Sequence, residues 1–150
     1  MLAPAGVLIA QKAVDSTIVL NLSATENLNY YMGSANAIVL VLYQLKSDKG
    51  LDNIIEGEFG ADVLLKAEAY NEEVLDVRKL YLNPKDRRQL MLTKQSEANY
   101  LLAVAGYNNA SPKQSVKILK LQSDEQRYFW QPKNMSGSVL NMVLGKEGLR

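Results

Sequence analysis

The chain has 150 residues, 47% of them hydrophobic and 22% charged, with a net charge of +1. That is enough chain for one domain with a real core, and the charge is too balanced for nucleic acid or an anionic membrane surface to be a bulk electrostatic partner. There is no cysteine and no histidine, which removes disulfides, thiol nucleophiles, Cys/His zinc sites and the usual general base.

Residues 1–16 read as a flexible leader, with a short edge strand at most over Gly6–Ala10. Leu2–Ala10 is apolar but short, is broken by Pro4 and Gly6, and lacks the basic start and cleavage site of a signal peptide. No stretch approaches the roughly 20 apolar residues of a membrane span. Residues 17–150 then read as a single domain.

Thr17–Ala24 alternates, with Ile18, Leu20, Leu22 and Ala24 on one face, and predicts a half-buried strand. Thr25–Asn36 follows. It is long for a hairpin loop, which usually runs about 2–5 residues, and it carries Leu28, Tyr30, Tyr31 and Met32 where a solvated loop would be uniformly polar.

Ala37–Leu45 is the centre of the pattern. It is bracketed by Gly33-Ser34 and by Lys46-Ser47-Asp48-Lys49-Gly50, and it is apolar on both faces. Ala37, Val39, Val41, Tyr43 and Leu45 share one face; Ile38, Leu40, Leu42 and Gln44 share the other. Such a strand needs cover on both sides.

The period then changes. Leu51, Ile54 and Ile55 at i, i+3 and i+4 predict a short helix, interrupted by Gly57 and Gly60; Val63, Leu64, Ala67 and Tyr70 predict a second one. This insertion, near residues 51–70, is the candidate cover for the second face of the central strand. Val74–Leu82 reads as a strand ending at the turn Asn83-Pro84-Lys85-Asp86, and Arg88–Thr93 as a short strand with Leu90 and Leu92 inward. Asn99–Tyr107 is a second doubly covered strand and the expected neighbour or opposite number of the first. Ser115–Leu121 and Tyr128–Trp130 are placed as a hairpin, Val139–Leu144 as the last strand, and Gly145–Arg150 as a polar tail. Seven or eight short strands with one helical insertion predict a mostly β protein, a β-sandwich.

No catalytic constellation stands out. Glu72-Glu73 and Asp48/Asp52 are acidic pairs, but adjacent acids in a strand point to opposite faces, and acids before a helix usually serve its N-terminus. Nothing pairs serine with lysine, no glycine pattern resembles a phosphate cradle, and the acids are too scattered for calcium. No cofactor or metal is expected. Two aromatic groups remain. Tyr128-Phe129-Trp130 is either a stacking platform or core filling; as a platform it would make the chain a small-ligand or carbohydrate-binding module. The loop Asn27, Leu28, Asn29, Tyr30, Tyr31 and Met32 offers large, adaptable area suited to protein contact, or else folds back over the sandwich edge.

The run Val39-Leu40-Val41-Leu42-Tyr43-Gln44-Leu45-Lys46 resembles the "V-x-V-x-Y-Q-L" strand of the type VI secretion lipoproteins, the outer-membrane lipoproteins of the type VI secretion membrane complex. Asn21-Leu22-Ser23-Ala24 resembles the end of that family's first strand. Leu82-Asn83-Pro84-Lys85-Asp86 resembles its "L-x-P-G" turn, with Lys85 where glycine is usual. Tyr100-Leu101-Leu102-Ala103-Val104-Ala105-Gly106-Tyr107 resembles its "Y-L-x-V-V-A-x-Y" strand. These motifs fall in order over about Thr17–Asn108.

The resemblance implies a transthyretin-like β-sandwich with an added helical element and a non-catalytic role. It further implies a periplasmic tether, held at the outer membrane by an acyl anchor that this cysteine-free sequence lacks. Its partner would be the periplasmic C-terminal region of the large inner-membrane component. The family's loop between the first two strands, here Thr25–Asn36, is associated with that contact.

Overall fold

The computed structural model describes residues 17–121 and 138–150. The expected leader, and Tyr128, Phe129 and Trp130 as the second arm of the expected hairpin, lie outside these residues.

Seven strands form two sheets among the described residues. β1 (Thr17–Ala24) lies between β4 (Arg87–Thr93) and β7 (Ser138–Leu144). It pairs antiparallel with β4 and parallel with β7. The second sheet runs β3 (Val74–Leu82), β2 (Ile38–Leu45), β5 (Tyr100–Ala105) and β6 (Val116–Lys120), all antiparallel.

Strand alternation fixes the core. On β1, Ile18, Leu20, Leu22 and Ala24 are buried between the sheets, and they meet Ile38, Leu40 and Leu42 of β2 and Leu101, Ala103 and Ala105 of β5. Each fully buried aliphatic side chain here contributes about 1.5–3 kcal/mol of transfer free energy. One polar group joins them: Gln44 is buried, donates from Nε2 to the Thr93 carbonyl (3.0 Å) and accepts the Gln95 N–H (2.8 Å). That amide fastens the rim of one sheet to the end of the other and satisfies its own polar atoms.

The opposite face of β2 and β5 has its own core. Val41, Tyr43, Leu45, Leu102 and Val104 pack under Leu51, Ala61 and Leu64 of the helical insertion, so the central strand is covered on both faces as its sequence requires. The Tyr43 hydroxyl donates to the Leu64 carbonyl, and the ring meets Tyr70 edge-on at 5.7 Å.

Two expectations change. The insertion has one α-helix, α1 (Leu51–Ile55), but no second helix over Val63–Tyr70. Two 3-10 turns, Gly60–Asp62 and Leu64–Lys66, replace it, and Ala67 at φ 57° ends the second. Of the four apolar residues at helical spacing only Leu64 is fully buried, and a tight turn pinned by Tyr43 buries it, so packing decides against the longer helix. The polar tail is also ordered: Arg150 and Val143 exchange backbone hydrogen bonds at 2.7 Å, and Leu149 packs on the core.

Candidate functional site

The loop 25–36 joins β1 of one sheet to β2 of the other, so it must cross the end of the sandwich. Leu28 makes the crossing possible: its side chain is fully buried in the main core. Asn29 is also buried, with a left-handed φ of 44° that asparagine tolerates better than most residues. Its Nδ2 donates to Asn108 Oδ1 (2.8 Å) and to the Ala37 carbonyl (3.3 Å), and its Oδ1 accepts the Asn108 N–H (2.9 Å). Asn36 closes the loop from inside, donating from Nδ2 to the carbonyls of Asn29 (3.1 Å) and Ser34 (3.0 Å).

The C-terminal segment clasps the other side. Asn29 and Tyr30 donate their N–H groups to the carbonyls of Gly145 (3.3 Å) and Lys146 (3.1 Å), and the Lys146 ammonium sits 5.3 Å above the Tyr30 ring. At the tip, Tyr31 and Ser34 exchange backbone hydrogen bonds (2.9 and 3.3 Å) across Met32 and Gly33. Met32 has φ 51° and Gly33 φ 84°. Positive φ at both central positions is the type I′ turn, and glycine at the second is what that turn prefers.

The six residues singled out in this loop therefore divide. Leu28 and Asn29 face inward and hold the loop. Asn27 is exposed at its base, accepting from Thr25 Oγ1 at 2.7 Å. Tyr30, Tyr31 and Met32 are exposed by 39, 42 and 86%. They form a small apolar ridge on a backbone with few unmade hydrogen bonds. The clasp by Gly145–Lys146 and the role of Asn108 had no signal in the sequence. Asn29 had one, since asparagine is among the few residues that enter left-handed φ readily.

Among the described residues, the ionisable groups with shifted titration are buried tyrosines. Burial pushes the Tyr70 and Tyr107 phenols up to about 12, away from useful acid–base range. Glu73 is occupied by Ser47, whose hydroxyl donates at 2.9 Å. Among the described residues no cluster of acids could hold a metal ion.

Fold and loop define a transthyretin-like β-sandwich that crosses one end with a rigid, aromatic-tipped loop. The family follows from the sequence: the chain belongs to the type VI secretion lipoproteins, whose family model, described as "Type VI secretion lipoprotein, VasD, EvfM, TssJ", matches residues 16–138.

Solved structures agree on the fold. The T6SS lipoprotein TssJ1 from Pseudomonas aeruginosa is 23% identical, with a TM-score of 0.71 over 90% of this chain and 93% of that one. Serratia marcescens Lip, a membrane-bound component of the type VI secretion system, is 22% identical, with a TM-score of 0.71 over 91% and 97%. A chain in the structure of the T6SS protein TssM C-terminal domain from EAEC is 15% identical, with a TM-score of 0.65 over 89% and 95%. No curated protein matches. The chain is thus similar to components of a secretion complex, and its family is a structural lipoprotein component of that system.

Proposed function

We propose that this protein is a non-catalytic tether of a type VI secretion membrane complex. It acts in the periplasm, associated with the outer membrane through an acyl anchor in its lipidated form. Its partner is the periplasmic C-terminal region of the large inner-membrane component. The observation that carries the reading is the ridge of Tyr30, Tyr31 and Met32 on a loop fixed by internal hydrogen bonds.

The mechanism is adhesion. A preformed loop loses little conformational freedom on docking, which preserves the free energy gained by burying the rings and the thioether. Tyrosine supplies large area with few rotatable bonds, and methionine adapts to an irregular pocket. One acyl chain holds a membrane only reversibly, so the anchor would need a second chain or a second contact; the inner-membrane partner supplies such a contact.

The test is titration calorimetry of the full chain against the purified periplasmic C-terminal domain of its inner-membrane component. Tyr31→Ala and Met32→Ala should each weaken binding by about 1–3 kcal/mol, roughly 5- to 150-fold. Both sites are exposed, so the thermal midpoint should hold. Affinities within about twofold of the parent for both variants refute the loop as the docking site.

A further inference from the structure

The helical insertion does more than cover β2. Phe59 is 66% exposed and takes no part in the core beneath it. It stands between Gly57 and Gly60, two positions with little room for a side chain. Gly60 has φ 49°, and a Cβ there would come 3.1 Å from Pro112 Cγ. With Asp62, Val63 and Lys66, the ring lines a cleft of about 130 Å³.

The segment that carries it is one-sided in charge, with Lys113 beside Pro112 as a cation from outside the segment. Asp52, Glu56, Glu58 and Asp62 are exposed and face only Lys66 within Leu51–Lys66, four negative charges against one positive, in a chain whose total is +1. None of these acids makes an ion pair among the described residues. An anionic bilayer or a nucleic acid is repelled by such a surface. A basic protein surface complements it, and an apolar recess in that surface would take the ring.

The position adds a constraint. Pro112 packs on Gly60, and Asn108, in the same connection between β5 and β6, is bonded to Asn29 of the loop. The base of the loop and the insertion that carries Phe59 therefore both rest on the connection between β5 and β6, and a partner that spans it meets both.

We propose that Phe59 and its acidic rim form a second docking surface, for a basic face bearing an apolar recess on the same partner that the loop tip engages. This rests on the loop reading above, and the two fail separately. The experiment measures binding kinetics of the full chain with the periplasmic C-terminal domain at several salt concentrations. Phe59→Ala should weaken binding about tenfold or more with an unchanged thermal midpoint. The triple variant Glu56→Gln, Glu58→Gln, Asp62→Asn should slow association and flatten its salt dependence, and Glu58→Lys should slow it further.

If Met32→Ala weakens binding while Phe59→Ala stays within about twofold, the second surface is overturned and the loop stands. If the parent chain does not bind the domain, both fall. A parent dimer in sedimentation that Phe59→Ala dissociates assigns the surface to a second copy of this chain and also overturns the proposal.

Discussion

Asn29→Ala tests whether the loop is rigid because of its internal hydrogen bonds. The substitution removes the bonds to Asn108 Oδ1, the Ala37 carbonyl and the Asn108 N–H. A net hydrogen bond contributes about 0.5–1.5 kcal/mol. Asn108 is itself exposed, so water replaces part of what is lost, and the three together amount to about 2 kcal/mol. Alanine must also hold φ 44°, which costs about 1 kcal/mol more than it costs asparagine. The expected loss is therefore about 3 kcal/mol.

Urea unfolding reads it. With a slope near 2 kcal/mol/M the midpoint should fall by about 1.5 M at constant slope. Asn29→Gly separates the contributions, because glycine loses the same bonds but accepts the dihedral, and it should lose only about 2 kcal/mol. A loss below about 1 kcal/mol for alanine, or an alanine variant at least as stable as the glycine one, refutes the account of the loop. Because Asn29 is buried, its effect on partner affinity should accompany the loss of stability, unlike that of Met32.

Other expectations follow from single backbone or side-chain features. Lys85 holds φ 70° in the turn after β3, so Lys85→Gly should stabilise the fold by about 0.5–1 kcal/mol after the greater unfolded-state entropy of glycine is counted, read as a higher urea midpoint. Met32→Asn should stabilise by a similar amount, because asparagine suits the first central position of a type I′ turn, while weakening partner binding in the calorimetric titration. The Tyr70 hydroxyl is buried without a hydrogen-bond partner among the described residues, so Tyr70→Phe should leave stability at neutral pH unchanged or slightly higher. Tyr70 and Tyr107 have phenols raised by burial from 10.0 to about 12. The folded state thus holds their protons more tightly than the unfolded chain; their contribution is complete below about pH 10 and is lost as pH rises towards 12. Thermal midpoints across that range should fall, and Tyr70→Phe should fall less.

The sandwich was legible because alternation is a local property that burial enforces. Thr17–Ala24 declares its inward face residue by residue, and a strand apolar on both faces, such as Ile38–Leu45, can be stable only between two layers. The insertion was half legible: Leu51, Ile54 and Ile55 do form α1, whereas Leu64 is fixed by a hydroxyl on β2 that no local pattern reveals. The loop was legible as an anomaly. Its composition marked it, but which of its residues point inward depends on Asn108, Gly145 and Lys146, all more than seventy residues away along the chain. Phe59 gave no sequence signal, since an apolar residue between two glycines reads equally well as core.

The geometry of the tip bears on why such a loop persists. Met32 occupies a left-handed dihedral that disfavours it, at the position of a hairpin turn where asparagine is preferred, and it is the most exposed large apolar residue among those described. Each feature lowers the stability of the isolated chain. Packing does not explain them, because Met32 buries almost nothing. Folding does not explain them either, because the turn would form more readily with asparagine. A residue that costs stability twice and returns none to the fold is most simply understood as kept for a contact outside it. On the tether reading proposed above, the buried pins Leu28 and Asn29 and the half-buried Asn36 hold a strained, exposed methionine in one place, so that a partner would meet a fixed shape.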